Sequence, residues 1–345
     1  MIFKAYPLLR KILFQLPPEE AHFFTFKFLK LLKTLPLKKT FFGKEEEVRL
    51  ARECMGLMFP NPVGLAAGLD KDAELIPIWE AMGFGFAEIG TVTPKPQWGN
   101  PKPRLFRLVE DKALINRLGF NSKGVYEVVQ NLKNYQGSLI VGANIGKNKE
   151  TPLEKAEEDY LTCFHELAPY ADYITVNISS PNTPQLRELQ KPNYLNNLLE
   201  KLKKAQAQYQ TATKPLPICL KLAPDLDETG LKDIVDAVIS QGIEGIIATN
   251  TTVERSPALK SPYRNETGGL SGAPLLSKAN EILQRLKAYA NDKLTLVGVG
   301  GIVHPQDALT KIKAGADLVQ LYTGFIYEGP QLISEIKQML LLSQE

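Results

Sequence analysis

Leu294-Thr295-Leu296-Val297-Gly298-Val299-Gly300-Gly301, followed across Pro305–Ala314 by Leu318-Val319-Gln320-Leu321-Tyr322-Thr323-Gly324, decides the fold. Each apolar run is continuous rather than alternating, as suits a strand buried on both faces. A helix-length segment separates the two, so the strands are parallel and joined by a crossover. The same unit recurs towards the N-terminus, with apolar runs at Pro62–Ala67, Phe86–Ile89, Leu139–Ala143, Asp172–Asn177, Pro217–Leu222 and Gly245–Thr249. Helices are expected between them at Leu153–Leu167, Asn193–Ala207, Glu228–Gln241 and Ser277–Tyr289 as well as Pro305–Ala314. Eight such strands predict an α/β fold closed into a (β/α)8 TIM barrel. An open doubly wound sheet would want G-x-G-x-x-G after its first strand, and Ala66-Ala67-Gly68-Leu69-Asp70-Lys71 does not supply it.

Composition agrees with a large soluble-type core, 345 residues being 44% apolar and 23% charged. A net charge of +3 gives no field for nucleic acid. Residues 1–40, however, carry eight Lys/Arg against Glu19 and Glu20, which leaves the remainder net acidic. Cys54, Cys163 and Cys219 are scattered, as are His22, His165 and His304, so neither a metal site nor a disulfide framework is expected. No apolar run is long enough to span a bilayer and no signal peptide is evident, which predicts an intracellular protein.

Active sites of barrels form at the C-terminal ends of the strands. Those ends here are almost all polar, small or glycine: Ala66–Lys71, Gly90–Thr93, Asn144–Lys147, Asn177–Asn182, Lys221, Thr249–Thr251, Gly300–Gly301 and Tyr322–Gly324. Gly300-Gly301 after the seventh strand and Gly324 after the eighth allow backbone N–H groups to approach a phosphate. Lys71 and Lys221 supply positive charge. Asn116, Asn144, Asn177, Asn182 and Asn250 form a set of amides suited to a flat heterocycle with alternating C=O and N–H groups. Ser180 is the candidate reactive group. It has no G-x-S-x-G elbow and no nearby histidine in sequence, which argues against a hydrolase triad, and a turn or helix-capping serine is the plain alternative. The stretches between Gly90 and Ser138 and between Thr251 and Ala273 exceed ordinary βα loops and are expected to cover the substrate.

Residues 4–15 and 20–35 read as amphipathic helices broken at Pro17-Pro18 and Pro36. Phe24, Phe28, Leu31, Leu32 and Leu35 share one face, flanked by Lys27, Lys30 and Lys33. The pair either packs on the barrel or lies on an anionic membrane surface. The expected division is a helical segment over 1–42 and the barrel over 43–345.

The motifs Gly64–Lys71, Gly90-Thr91-Val92-Thr93-Pro94, Ile115–Asn121, Asn144–Asn148, Asn177–Leu189, Lys221–Asp225, Thr249–Thr252, Gly268–Gly272, Gly298–Gly301 and Gln320–Thr323 together resemble the dihydroorotate dehydrogenases. The chain is similar specifically to the quinone-using, membrane-associated class 2 branch. The resemblance implies oxidation of dihydroorotate to orotate on FMN, the redox step of pyrimidine synthesis, with electrons passed to a membrane quinone. By it Ser180 would take the C5 proton while a hydride leaves C6 for the flavin N5. Lys71, Asn116, Arg117, Leu118, Gly119, Phe120, Asn177, Asn182, Asn250 and Thr251 would bind substrate. Ala66, Ala67, Gly68, Leu69, Asp70, Thr91, Asn144, Asn177, Lys221, Thr249, Gly272, Gly301, Tyr322 and Thr323 would hold FMN. His22 and Arg107 would meet the quinone head. A monomer is expected, peripheral on the cytoplasmic side of a bacterial cell membrane and without a mitochondrial presequence. One departure stands out: Gln185 occupies a position where the family usually has glycine, in the loop expected over the substrate.

The competing readings are a flavin barrel without turnover that docks a protein partner, a class 1 enzyme using fumarate or NAD, and a phosphosugar aldolase or isomerase. Ser180 and the amide set weigh against the first, Ser180 and the basic helical segment against the second, and the amide-rich site against the third.

Overall fold

A computed structural model describes residues 2–33, 48–211 and 214–344. All eight expected runs are strands: β1 (Val63–Leu65), β2 (Phe86–Val92), β3 (Ile140–Ile145), β4 (Tyr173–Asn177), β5 (Ile218–Leu222), β6 (Gly245–Ala248), β7 (Thr295–Val299) and β8 (Leu318–Leu321). They close into one parallel barrel in chain order, with β8 pairing β1. The expected helices appear with ends within one residue, except that Leu153–Lys155 is a 3₁₀ turn before the helix Ala156–Leu167.

Outward-facing strand residues such as Val141, Ile174, Leu220 and Val319 pack against the helices. Because strand side chains alternate, the intervening residues point inside. The interior is apolar at the bottom, where Phe86, Tyr173, Ile247, Val297 and Leu318 meet Phe59. Phe59 belongs to a short hairpin, Arg52–Cys54 with Leu57–Phe59, and its ring stands edge-on to Phe86 at 5.2 Å. Two residues higher the interior turns polar, with Glu88, Thr175, Lys221 and Gln320 all buried.

The two long insertions are not simple loops. Leu105–Leu108 and Ala113–Asn116 form a hairpin, and Gly269–Gly272 from the second insertion adds a third antiparallel strand. Phe106, Leu108, Ala113, Ile115, Leu259 and Leu270 give this small sheet its own core.

At the N-terminus, helix α1 (Ile2–Leu13) and helix α2 (Pro18–Lys33) are separated by the Pro17-Pro18 break. Pro18 opens α2, where its missing N–H costs nothing, and Glu19 and Glu20 favour that end of the helix dipole. The pair both packs on the barrel and leaves an apolar face open. Phe26 and Leu29 are buried, while Phe23, Phe24, Phe28 and Leu31, with Leu8, Leu9 and Ile12 of α1, are exposed. Lys30 and Lys33 turn back to Glu74 instead of standing free, at 2.8 Å and to its carbonyl at 3.1 Å. Leu35, Pro36 and the 42/43 boundary lie outside the described residues. No helix among the described residues is long and apolar enough to cross a membrane.

Candidate active site

The C-terminal ends of the strands surround one cavity that encloses, with its mouth, about 960 Å³. Its floor is the polar interior layer. The buried Glu88 carboxylate accepts from Asn144 Nδ2 (2.8 Å), Gln320 Nε2 (2.9 Å), Thr175 Oγ1 (3.1 Å) and the Tyr173 hydroxyl (3.2 Å). The Lys221 ammonium lies 3.9 Å from the same carboxylate. Burial pushes the Lys221 amine below its ordinary value, and Glu88 opposes that shift.

Above the floor the amides interlock. Thr91 Oγ1 donates to Asn144 Oδ1 at 2.6 Å and accepts from Asn177 Nδ2 at 2.9 Å. Ser179 Oγ donates to Asn177 Oδ1 at 3.1 Å, and Asn250 Nδ2 donates to Ser179 Oγ at 2.9 Å. Asn182 Nδ2 donates to the Asn116 carbonyl at 3.0 Å, joining the loop after β4 to the antiparallel sheet. Asn177, Ser180, Asn182, Asn250, Thr251 and Asn116 all face the cavity. Ser180 is buried, and its Oγ accepts only the Asn182 N–H among the bonds to described residues, at 3.2 Å.

On one side Lys71 reaches the cavity and donates to Asn121 Oδ1. Burial, helped by Arg104, pushes its amine down to about 8, although part of the side chain stays open to the cavity. Leu118, Gly119 and Phe120 complete that wall, and Ala66, Ala67 and Gly68 lie beside Tyr322. Opposite, Gly301 has φ +86, and a Cβ there would come within 2.4 Å of Leu276 Cα. Only glycine combines that backbone with that approach. Gly324 packs so close that its Cβ would lie 1.8 Å from the Ile302 carbonyl oxygen. Thr323 and Gly272 line the same end, where Thr323 Oγ1 and Ser271 Oγ are 2.8 Å apart. The result is a backbone cradle of the kind that takes a phosphate.

Some expected residues are placed elsewhere. Asn144 sits behind the wall, holding Thr91 and Asn177. Leu69 is in the core. Asp70 turns away to accept from Trp79 Nε1 and the Glu74 and Leu75 N–H groups, each at 2.8 Å. Its carboxyl is pushed up to about 6 because burial outweighs those three bonds. Arg117 stacks over Phe106 and pairs with Glu266 at 2.6 Å, outside the cavity. Arg107 sits over the Phe14 ring and donates to the Phe14 and Leu16 carbonyls, fastening the α1–α2 turn. His22 stacks on Phe26 at 4.1 Å. Ser271, Val299 and Gln320, which the motifs include without a site role, and Leu275 and Ile302, which lie outside them, also line the cavity. Of these, Gln320 carried a usable signal, being an amide within an apolar strand.

A closed barrel with a backbone phosphate cradle at one end of its cavity and amides, a serine and lysines at the other defines a binder of a phosphorylated cofactor and a small polar ring. The family model described as "Dihydroorotate dehydrogenase" matches residues 49–342, and the chain belongs to that family. The dihydroorotate dehydrogenase (quinone) of Christiangramia forsetii is 52% identical over 97% of this chain and 98% of its own length. That of Yersinia enterocolitica is 51% identical over 96% and 98%. Among solved structures, ligand-free-type DHODH of Eimeria tenella superposes with a TM-score of 0.88 at 37% identity, covering 95% of each chain. The same organism's DHODH in complex with ferulenol gives 0.87 at 36%, covering 95% of this chain and 92% of that one.

Proposed function

We propose that this chain oxidises (S)-dihydroorotate to orotate on one bound FMN and passes the electrons to a membrane quinone, in pyrimidine synthesis. The observation that carries the reading is that one cavity holds both the phosphate cradle and the serine-and-amide wall. The residues fit FMN. Lys221 is only 5% exposed, with the Glu88 carboxylate 3.9 Å from its ammonium and so beyond hydrogen-bond reach, and Gln320 Oε1 is a buried acceptor without a donor among the described residues. Both line the cavity, and a ring with carbonyl and N–H edges would satisfy both. Gly272, Gly301 and Thr323 would hold the phosphate, and Ala66–Gly68, Thr91, Lys221, Thr249 and Tyr322 the ring and its ribityl chain. Leu69, Asp70 and Asn144 support this wall from behind.

When bound, FMN supplies the two-electron acceptor for the hydride leaving substrate C6. The protein's part is orientation and proton transfer. Asn116, Asn177, Asn182, Asn250 and Thr251 pair with the substrate's ring amides, and Lys71 neutralises its carboxylate. Arg117, tied to Glu266, holds the hairpin that carries Leu118, Gly119 and Phe120. Ser180 Oγ takes the C5 proton. Its Oγ accepts one N–H bond, and as it takes the C5 proton its own hydroxyl proton passes to water at the cavity mouth, so the serine acts as a relay.

The exposed apolar residues of α1 and α2 would lie on an anionic membrane, peripheral and on the cytoplasmic face, with the chain a monomer. Quinone would enter beneath this pair, past His22 and Arg107. A reading as a protein-docking barrel has no use for the Ser180 wall. The test is to extract the chromophore and assay orotate formation. One FMN per chain and orotate made with a ubiquinone analogue, but not with fumarate or NAD⁺, is expected. No orotate with any acceptor would refute the function.

A further inference from the structure

Glu88 is a wholly buried carboxylate at the centre of the barrel. A buried charge is costly unless it is paired and hydrogen-bonded. Here four neutral donors from β3, β4 and β8 converge on it, and Lys221 of β5 is its counter-charge. At 3.9 Å the Lys221 ammonium is too far to donate to Glu88, so its N–H groups remain available to the cavity while its charge is balanced. Three of the five groups around Glu88 (Asn144, Lys221 and Gln320) stand in or directly behind the cavity wall.

We propose that Glu88 is a positioning residue for the oxidation step: it keeps Lys221 protonated and aimed at the cofactor ring, and fixes Asn144 and Gln320 beside it. The proposal rests on the FMN reading above. Other titratable groups near the pair cannot take over this part. Tyr173 and Cys219 are held neutral, their pKa values raised well above the ordinary ones chiefly by burial. β6 carries no titratable side chain, and Tyr322 and Lys71 belong to the cavity walls. Without the Glu88 charge, burial acts on Lys221 unopposed and pushes its amine further towards the neutral form.

The test is the flavin midpoint potential of the holoenzyme as a function of pH. In the wild type Lys221 stays protonated in both redox states and contributes nothing to the slope. In E88Q it is expected to be neutral beside oxidised FMN and to bind one proton on reduction. One extra proton per two electrons steepens the equilibrium tenfold per pH unit, which is about 30 mV per unit for a two-electron couple. E88D, and E88Q combined with K221R, should keep the wild-type slope, because the carboxylate or an always-protonated guanidinium is present. Reduction of E88Q by dihydroorotate should slow as pH rises, a limb that a packing defect alone would not create. A wild-type slope in E88Q overturns the proposal. Should E88Q fail to fold, ¹³C NMR of Lys221 in the wild type decides: no titration from about pH 6 to 9 is expected, and loss of the proton within that range overturns it. This titration needs no flavin. A protein without FMN would refute the function, while an active flavoprotein with an unaltered E88Q slope would remove only Glu88.

Discussion

Replacing Ser180 by alanine removes one hydroxyl from a buried site, and the structure separates its effects on stability and on rate. Folding loses the 3.2 Å hydrogen bond that Ser180 Oγ accepts from the Asn182 N–H. A neutral bond of this kind contributes about 0.5–1.5 kcal/mol. Asn182 is still held through its side chain to the Asn116 carbonyl, so the loop and the amide wall should survive. Proton transfer by a positioned group contributes roughly 10²–10⁴-fold to rate, or about 3–5 kcal/mol of activation free energy at 1.36 kcal/mol per tenfold. The rate effect should therefore be several times the stability effect. Anaerobic stopped-flow measures the two half-reactions apart. S180A should bind dihydroorotate nearly as the wild type does, reduce its flavin at least roughly 100-fold more slowly, and be reoxidised by quinone at the wild-type rate. Flavin reduction within about threefold of wild type, a change of only ~0.6 kcal/mol, would remove Ser180 from proton transfer. Equal slowing of both half-reactions would mean a general structural defect instead.

Three further outcomes follow from particular residues. Lys71 is protonated below about 8 and neutral above it in the free protein, so KM for dihydroorotate should rise as pH climbs through that value, and K71M should show a high KM without this dependence; a pH-independent wild-type KM would contradict its part in carboxylate binding. G301A combines a left-handed backbone, roughly 1–2 kcal/mol, with a backbone clash of about 1–3 kcal/mol, so it should lose about 2–5 kcal/mol in equilibrium denaturation and be purified largely without FMN. Gln185 has φ +55, where an L residue is strained by roughly 1–2 kcal/mol, and glycine's larger unfolded entropy offsets about 0.5–1 kcal/mol of that; Q185G should thus raise thermal stability slightly, and a lower Tm would refute the strain.

The eight strands were legible because burial on both faces leaves an unmistakable continuous apolar run, and strand-end chemistry followed once the barrel was closed. The polar layer inside the barrel was not. Glu88 is one charge in Phe86–Ile89, and only the closed barrel brings Asn144, Tyr173, Thr175, Lys221 and Gln320 around it from strands far apart in sequence. The antiparallel sheet was missed for a different reason. Leu105–Leu108 alternates half-buried and buried residues over only four positions, too short a signal without its partner strands. Motif membership also did not fix side-chain direction. Asn116 lines the cavity while Arg117, its neighbour, turns out to Glu266, and Asp70 turns inward to Trp79 although Gly68 and Lys71 face the cavity. Gln185 shows the converse case, since the concern raised by a glycine-type position was met by a left-handed glutamine backbone.

The most direct test of the function is anaerobic mixing of the purified protein with dihydroorotate while the flavin absorbance is followed, and then adding a quinone. Bleaching by dihydroorotate, with colour restored by quinone but not by fumarate or NAD⁺, is the predicted result. A yellow protein that dihydroorotate fails to bleach would contradict the assigned substrate, and one recoloured by fumarate or NAD⁺ in place of quinone would contradict the assigned acceptor.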